Sequence, residues 1–351
     1  MTPPSQWMIY GANGYTGQIV AEAAAARGDR PVLAGRREDA VRALAEKHGC
    51  EHRVFDLDGD VAAQLDGVSL VLHCAGPFSK TSKPMVDACL ARGVHYLDIT
   101  GEIGVFEACH ARSDEARAAG SVVMPGVGFD VVPSDCLAAS LAAALPGATL
   151  LQLAFTGLGE VSAGTAKTML EGMPSGGAVR KDGRITRVPV AWKTMSVPFH
   201  DHERMAVTIP WGDVSTAYHS TGIPNIETYL AAPKKMIRGM KVANAFRGLL
   251  KLGPVQRMAS RMVEKRVKGP DAEARAGGKS ELWGRVSDES GREVQGTLTT
   301  PESYRLTAIT ALASIDRILA GGVEPGAQTP SSAFGADFVA KLEGCTLRVP
   351  S

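Results

Sequence analysis

Residues 7–17, Trp-Met-Ile-Tyr-Gly-Ala-Asn-Gly-Tyr-Thr-Gly, most constrain what this chain can fold into. Trp7 to Tyr10 is a short apolar run. Gly11, Gly14 and Gly17 follow at three-residue spacing, and Ile19 to Ala26 reads as a helix. Strand, glycine turn and helix in that order form a dinucleotide-binding turn. The first glycine lets the chain turn sharply. The second lets backbone N–H groups approach a pyrophosphate, and the third lets the helix pack close to the strand. The helix N-terminus then faces the anion, where unsatisfied N–H groups and the helix dipole favour negative charge. Gly11, Asn13, Gly14, Tyr15, Thr16 and Gly17 are the expected pyrophosphate-holding residues.

The same glycine spacing serves extended short-chain dehydrogenases, whose proton transfer needs a Tyr-x-x-x-Lys pair. Tyr10, Tyr15, Tyr96, Tyr218, Tyr229 and Tyr304 are all the tyrosines, and none has lysine four residues on. The turn therefore serves another group of nucleotide-binding proteins.

Strand and helix patterns alternate through the first 130 residues. Pro31 to Ala34 is the second strand and runs into Gly35-Arg36-Arg37. NAD-specific proteins place an acid there for the ribose 2′-hydroxyl. Two guanidinium groups instead suit a 2′-phosphate, so Arg36 and Arg37 predict NADP(H) as cofactor. A helix follows over Asp39 to Gly49, then a third strand at Val54-Phe55-Asp56, where Asp56 or Leu57 borders the expected adenine position. Leu70 to Cys74 is the fourth strand. Its exit, Ala75-Gly76-Pro77, leaves room for ribose and phosphates, and these three residues are expected on the nicotinamide side. Lys83 to Arg92 reads as a helix, His95 to Ile99 as the fifth strand, Ile103 to Ala119 as one helix, and Val122 to Met124 as the sixth strand. Six strands with right-handed helical crossovers make a doubly wound parallel sheet of Rossmann type. Asp98, Glu102 and Asp130 fall at strand ends on the ligand edge, as acid/base groups or as helix caps and turn braces.

The pattern changes after a helix over Pro133 to Leu145. Alternating runs at Leu150–Thr156, Arg180–Val188 beside a Lys-Asp-Gly turn, Ser196–Phe199, Ala206–Ile209, Ile223–Ala231, Glu281–Val286 and Glu293–Thr299 read as strands and hairpins. The fold class is thus α/β: a nucleotide-binding domain over 1–130 and a second α+β domain with a mixed or antiparallel sheet over 131–351. Helix 303–319 is expected to pack back on the first domain. Ser331 to Leu342 reads as the last helix and Cys345 to Val349 as a final strand. The polar stretch from Trp211 to Gly222 begins at a strand end and presents Tyr218 and His219, a pair able to donate a proton or hold a carbonyl oxygen. The alternative is a structural helix with a buried tyrosine.

Two apparent motifs lack their context. Gly277-Gly278-Lys279-Ser280 resembles the end of a phosphate loop, but Glu273 stands where that motif needs glycine. His200 and His202 have no third ligand at metal spacing, so no metal is expected. The formal charge of +1 gives no field to attract nucleic acid. Six scattered cysteines without a C-x-x-C read as reduced thiols, and with no signal peptide or membrane-length apolar run a cytoplasmic protein is expected.

Gly-Ala-Asn-Gly-Tyr-Thr-Gly from Gly11, Ala-Gly-Arg-Arg from Ala34, His-Cys-Ala-Gly-Pro-Phe from His73, His-Tyr-Leu-Asp-Ile-Thr-Gly-Glu from His95, and the run from Met124 to Asp135 together resemble the saccharopine dehydrogenase-like oxidoreductases. The bacterial branch described as trans-acting enoyl reductases is the most similar. The likeness is strong over the first 150 residues and extends through Pro210–Tyr229. It implies an NADP-binding Rossmann domain and a second, mixed-sheet domain that closes over the substrate. Members act on amino-acid secondary amines or polyketide enoyl groups, so the family name does not fix the substrate.

The expected function is an NADP(H)-dependent oxidoreductase reducing a C=C or C=N bond of a small or acyl substrate. The alternative is a nucleotide-binding sensor or lipid-associated adaptor that keeps the fold without turnover. Residues 234–268 bear on that choice, with eleven Lys and Arg against the single acid Glu264. Val255, Met258, Ala259, Met262 and Val263 make an apolar stripe, and Met236, Met240, Ala243 and Leu250 a second seam. Either these are surface helices with solvated basic faces, or a lid whose basic side meets anionic lipid or an acyl-carrier domain. Peripheral membrane contact and a homodimer are the remaining partner expectations.

Overall fold

The computed structural model of the protein describes residues 6–156, 162–172, 175–200, 202–245, 258, 262, 267 and 269–350. The chain forms two compact units, Met1–Val132 with Tyr304–Gly335 and Pro133–Ser303 with Ala336–Ser351.

The first unit begins β1 (Gln6–Tyr10), α1 (Tyr15–Ala26), β2 (Val32–Gly35), α2 (Glu38–His48), β3 (His52–Val54), β4 (Val68–His73), α3 (Phe78–Arg92), β5 (His95–Asp98), α4 (Ile103–His110), α5 (Ser113–Ala118) and β6 (Val122–Met124). Its sheet is parallel, ordered β6-β5-β4-β1-β2-β3, with the two-residue strand Gly326–Ala327 added beside β6. The order reverses at β1, which lies between β2 and β4, and in doubly wound sheets ligands bind at the carboxyl ends of the strands at that point. Alternate residues of the strands, among them Met8, Tyr10, Val32, Ala34, Val71, Tyr96 and Val123, form one buried cluster. α2 carries Glu38 and Asp39 in its first turn and Lys47 and His48 in its last, then stops at the left-handed Gly49, an arrangement that complements the helix dipole.

Helix Ser303–Leu319 belongs to this unit from Tyr304 on. Thr310 Oγ1 donates to the Val127 carbonyl at 2.7 Å, and Phe129 N–H donates to Thr307 Oγ1 at 3.1 Å. The Tyr304 ring meets Tyr15 edge-on, centroids 4.9 Å apart.

Several expected boundaries differ. The sheet has seven strands among the described residues rather than six. The third strand ends at Val54, leaving Phe55 and Asp56 in the following loop. α3 starts at Phe78, five residues before the expected Lys83, because a carboxylate from another loop satisfies its first N–H groups. The single helix expected over 103–119 is two, broken at Ala111-Arg112, where Arg112 pairs with Asp87 of α3 and with Glu115. The last expected helix is the short helix Pro330–Phe334 and a 3₁₀ turn at Val339–Lys341. Gly335 separates them at a φ of 93°.

The second unit contains α6 (Val132–Ala144, entering from the first unit), β7 (Leu150–Thr156), α7 (Ala163–Gly172), β8 (Gly177–Lys181), β9 (Arg184–Val188), β10 (Thr194–Pro198), β11 (Glu203–Thr208), α8 (Asp213–Thr221), β12 (Asn225–Ala231), α9 (Lys234–Ala245), β13 (Lys279–Ser287) and β14 (Glu293–Pro301). The sheet path is β10-β11-β12-β7-β13-β14, then Thr346–Arg348; the β8–β9 hairpin joins through β12. Only the β12–β7 pair is parallel among the described residues, so the sheet is mixed and mainly antiparallel. Asp182 and Gly183, both at positive φ, make the tight β8–β9 turn. α6 lies so close to the sheet that a Cβ on Gly284 would stand 2.6 Å from Leu141.

α9 corrects the first expected seam. Ile237 is the buried residue, packed with Val207 and Ala232, and Met240 adjoins that cluster. Met236 is 51% exposed. Leu250, Val255, Ala259, Val263 and the cations Arg247, Lys251, Arg257, Arg261, Lys265, Arg266 and Lys268 lie outside the described residues. Met258 and Met262 are exposed. No helix among the described residues is long and apolar enough to cross a membrane.

Candidate functional site

The carboxyl ends of β1, β2 and β4 gather most of the sequence-predicted residues. Gly11 leaves β1 at a φ of 81°, and a Cβ there would meet Ala75 at 2.8 Å. The turn is therefore pressed against the exit of β4, and only glycine satisfies both the backbone angle and the space. At Gly17 a Cβ would lie 2.3 Å from the Gly11 carbonyl oxygen, so this glycine is fixed by α1 packing on the turn. At Gly14 the nearest atom is that same oxygen, at 3.2 Å. Gly14 is the N-cap of α1, which has no capping side chain and no acid in its first turn. This uncapped helix start has the polarity an anion needs. Tyr15 and Thr16, both half-buried, open the helix, with Tyr304 standing against Tyr15.

Arg36 and Arg37 leave β2 at the same edge, and both are exposed. Arg36 faces Asp56 with 3.8 Å between nitrogen and oxygen. Arg37 turns back over the glycine turn. With the Asn13 carboxamide oriented oxygen-first toward it, Asn13 accepts from Arg37 Nη2 at 2.6 Å and Nε at 2.9 Å. The Asn13 carbonyl takes a further bond from Gln18 Nε2 at 2.9 Å.

Ala75, Gly76 and Pro77 connect β4 to α3, with a cis bond between Gly76 and Pro77. Their carbonyls are held from behind. Thr81 Oγ1 donates to the Ala75 carbonyl at 2.6 Å and lies 3.1 Å from that of Pro77. The His73 ring, fully buried at the end of β4 beside Tyr10 and Phe78, places Nε2 3.0 Å from Thr81 Oγ1. Burial holds the His73 pKa down at about 3. A neutral ring with its proton on Nε2 then donates to Thr81, whose own proton goes to the loop.

The three acids at strand ends have separate roles. Glu102 caps α3, accepting from Phe78 N–H at 2.8 Å and Ser79 N–H at 2.9 Å. Asp98 is fully buried and accepts from Tyr96 Oη, Thr100 N–H and Gly126 N–H at 2.7, 3.0 and 2.8 Å. Desolvation lifts its pKa to about 6 despite these donors. Asp130, only partly accessible, is lifted to about 7 by the same cause, and a Cβ on Gly101 would stand 2.6 Å from its Oδ2.

Tyr218 and His219 lie on α8 of the second unit. Arg180 sits over the half-buried Tyr218 ring, 4.2 Å from its centroid, and also donates to the Val214 carbonyl at 2.8 Å. His219 is exposed. The sequence reading missed the Asn13–Arg37 link, the His73–Thr81 brace and the Tyr304 contact. Each joins residues on different elements, where no helical or strand period runs, and Tyr15 and Tyr304 stand 289 positions apart.

Residues 7–124 match the family described as saccharopine dehydrogenase NADP binding domain. A saccharopine dehydrogenase-like oxidoreductase of Rattus norvegicus is 31% identical over 154 residues, covering 38% of this chain and 36% of the rat protein. A trans-acting enoyl reductase of Mycobacterium leprae (strain TN) is 33% identical over 141 residues, covering 36% of this chain and 33% of that protein. The match thus spans about a third of the length of these curated relatives. Apo saccharopine dehydrogenase (L-Glu forming) from Saccharomyces cerevisiae shares the fold at a TM-score of 0.67, over 99% of this chain and 100% of that one, with 12% identity. The likeness to the saccharopine dehydrogenase NADP binding domain family is therefore carried by residues 7–124.

Proposed function

We propose that the protein is an NADP(H)-dependent oxidoreductase that reduces a C=C or C=N bond of a small or acyl substrate. One observation carries the reading: an uncapped helix start on a glycine turn, with two exposed arginines at the adjoining strand end. The residues fit the cofactor, since Gly14 leaves the helix N-terminus bare and no acid occupies its first turn. Gly11, Asn13, Gly14, Tyr15, Thr16 and Gly17 form the pyrophosphate cradle. Arg36 and Arg37 receive the 2′-phosphate, and Ala75, Gly76 and Pro77 line the nicotinamide side. When bound, the nicotinamide supplies hydride chemistry. The chain's own work is to bind, orient and exclude water. His73 and Thr81 hold the lining loop in place, and Tyr218 or His219 is assigned the proton donor.

The names of the mycobacterial relatives support an acyl substrate. Lys234, Lys235, Arg238 and Lys241 are exposed on α9, which supports contact with an anionic carrier or lipid surface. That contact should be strong at low salt and fade within physiological ionic strength. Calorimetric titration of NADPH and NADH, followed by NADPH oxidation with enoyl-thioester and imine panels, tests the main reading. Equal affinity for the two cofactors overturns the NADP assignment. Full turnover in both Tyr218→Phe and His219→Ala removes the proton-donor assignment.

A further inference from the structure

Two arginines at one strand end usually count as one feature, yet here they are held differently. Arg36 faces a carboxylate, Asp56, across 3.8 Å, and both groups are largely in solvent. That partner orients Arg36 loosely and offsets its charge. Arg37 is held by Asn13 through two bonds, at 2.6 and 2.9 Å from Nη2 and Nε. A carboxamide oxygen is neutral. It fixes the plane of the guanidinium without cancelling its charge, and Nη1 keeps both its donors. A planar, fixed, uncompensated guanidinium is the form that binds a phosphate best, because little side-chain entropy remains to be lost.

We infer that Asn13 is a specificity-determining positioning residue: it tethers Arg37 as the principal 2′-phosphate anchor and leaves Arg36 a secondary role. The inference rests on the NADP reading above and deepens it. It also changes the part Asn13 plays, since a side chain turned to Arg37 serves the adenosine end rather than the pyrophosphate. Asn13 does not have a positive φ, so alanine or aspartate is compatible with the turn's backbone.

The test uses fragments that differ only in the 2′-phosphate. The intact protein is titrated calorimetrically with 2′,5′-ADP and with 5′-AMP, at one salt concentration. The wild-type protein should prefer 2′,5′-ADP by about tenfold or more, the scale of one charge-assisted phosphate contact. Asn13→Asp keeps the tether but neutralises Arg37. Asn13→Ala keeps the charge but frees the side chain. Both should bring the preference, read as the ratio of the two affinities, down toward that of Arg37→Ala, while urea melts like the parent's show that the turn is folded. Arg36→Ala should retain most of the preference. Wild-type preference in both Asn13 variants overturns the inference, and so does a larger loss in Arg36→Ala than in Arg37→Ala. A wild-type protein that binds 5′-AMP and 2′,5′-ADP equally overturns the NADP reading itself, a distinct result.

Discussion

Both units place a polar cluster at a sheet, and the two clusters close differently. In the first unit the ligand edge keeps donors in reserve: the start of α1 has no side-chain cap, and Arg37 keeps Nη1 while Asn13 holds its Nη2 and Nε. In the second unit the polar residues of β7, β12 and β13 satisfy one another. Glu227 accepts from Gln152 Nε2 at 3.1 Å, from Tyr229 Oη and from Lys193 Nζ. Gln152 Oε1 in turn accepts from Arg285 at 2.6 Å. The register aligns them, since Gln152 lies opposite both Glu227 and Arg285. A cluster that completes its own hydrogen bonds stabilises a sheet. One that leaves donors uncommitted is suited to a ligand. Burial of charge is thus no guide to function by itself.

The sharpest break between these roles should come inside the glycine turn. Gly17→Val forces a side chain to within 2.3 Å of a backbone oxygen, so overpacking should cost about 3 kcal/mol or more and lower the unfolding midpoint. Gly14→Val meets only a 3.2 Å contact. That variant should fold near normally yet lose about a hundredfold in NADPH affinity, the cost of two charge-assisted backbone bonds. Urea melts beside NADPH titrations check both. A folded Gly14→Val with unchanged affinity would move the cofactor away from this turn.

In the second unit the signs reverse. Glu227→Ala takes the acceptor from the Tyr229 hydroxyl and leaves the buried Gln152 amide only its 3.5 Å contact with Tyr229 Oη. It should cost about 2–3 kcal/mol, discounted because Lys193 is half in solvent. Nucleotide affinity should not change. If affinity falls while the urea midpoint holds, the network contacts the ligand and the contrast collapses.

The glycine turn was legible in sequence because its glycines answer to backbone demands that no distant residue alters. The αβ alternation and the hairpin at Lys181-Asp182-Gly183-Arg184 were legible for the same reason. What escaped depended on partners remote in sequence. α3 begins at Phe78 because Glu102, on the loop after β5, caps it. The strand Gly326–Ala327 is too short to carry a period. On α9 the large Met236 drew the seam one position away from Ile237, the residue the core actually takes. At the candidate site the residue types were readable and their pairing was not: nothing in the spacing of Asn13 and Arg37 announces a bond.

Two buried carboxylates, one in each unit, make stability respond to pH in opposite directions. Asp98, surrounded by neutral donors, has its folded pKa raised from 3.8 to about 6. Over that interval the unfolded chain has lost the proton and the folded chain keeps it, so Asp98 makes stability fall as pH rises from about 4 to 6. Glu227, paired with Lys193, has its folded pKa lowered from 4.5. Its contribution is present above 4.5 and is lost as pH falls through the folded value. Asp98→Asn keeps the bonds to Thr100 and Gly126, since the amide oxygen still accepts. It should remove a slope on the order of 2 kcal/mol between pH 4 and 6. Denaturation curves across pH for the variant and the parent measure it. An unchanged slope would mean that Asp98 is ionised throughout.

The smallest effect tests whether the ligand edge is truly uncommitted. Asp56 is the one acid paired with Arg36 among the described residues, at 3.8 Å and largely in solvent. Such a pair is worth well under about 1 kcal/mol, so its removal should not alter stability. It does hold negative charge beside the proposed phosphate site. Asp56→Asn should therefore free Arg36 and raise NADPH affinity by about two- to fivefold at low salt, with no change for NADH. The gain should shrink as ionic strength rises, because both groups are exposed to screening. Titrations of each cofactor at two salt concentrations separate the outcomes. A gain shared equally by NADPH and NADH places Asp56 near the pyrophosphate instead. A loss for both means that its carboxylate accepts a hydrogen bond from the nucleotide, so this end of the edge is already committed to the adenosine.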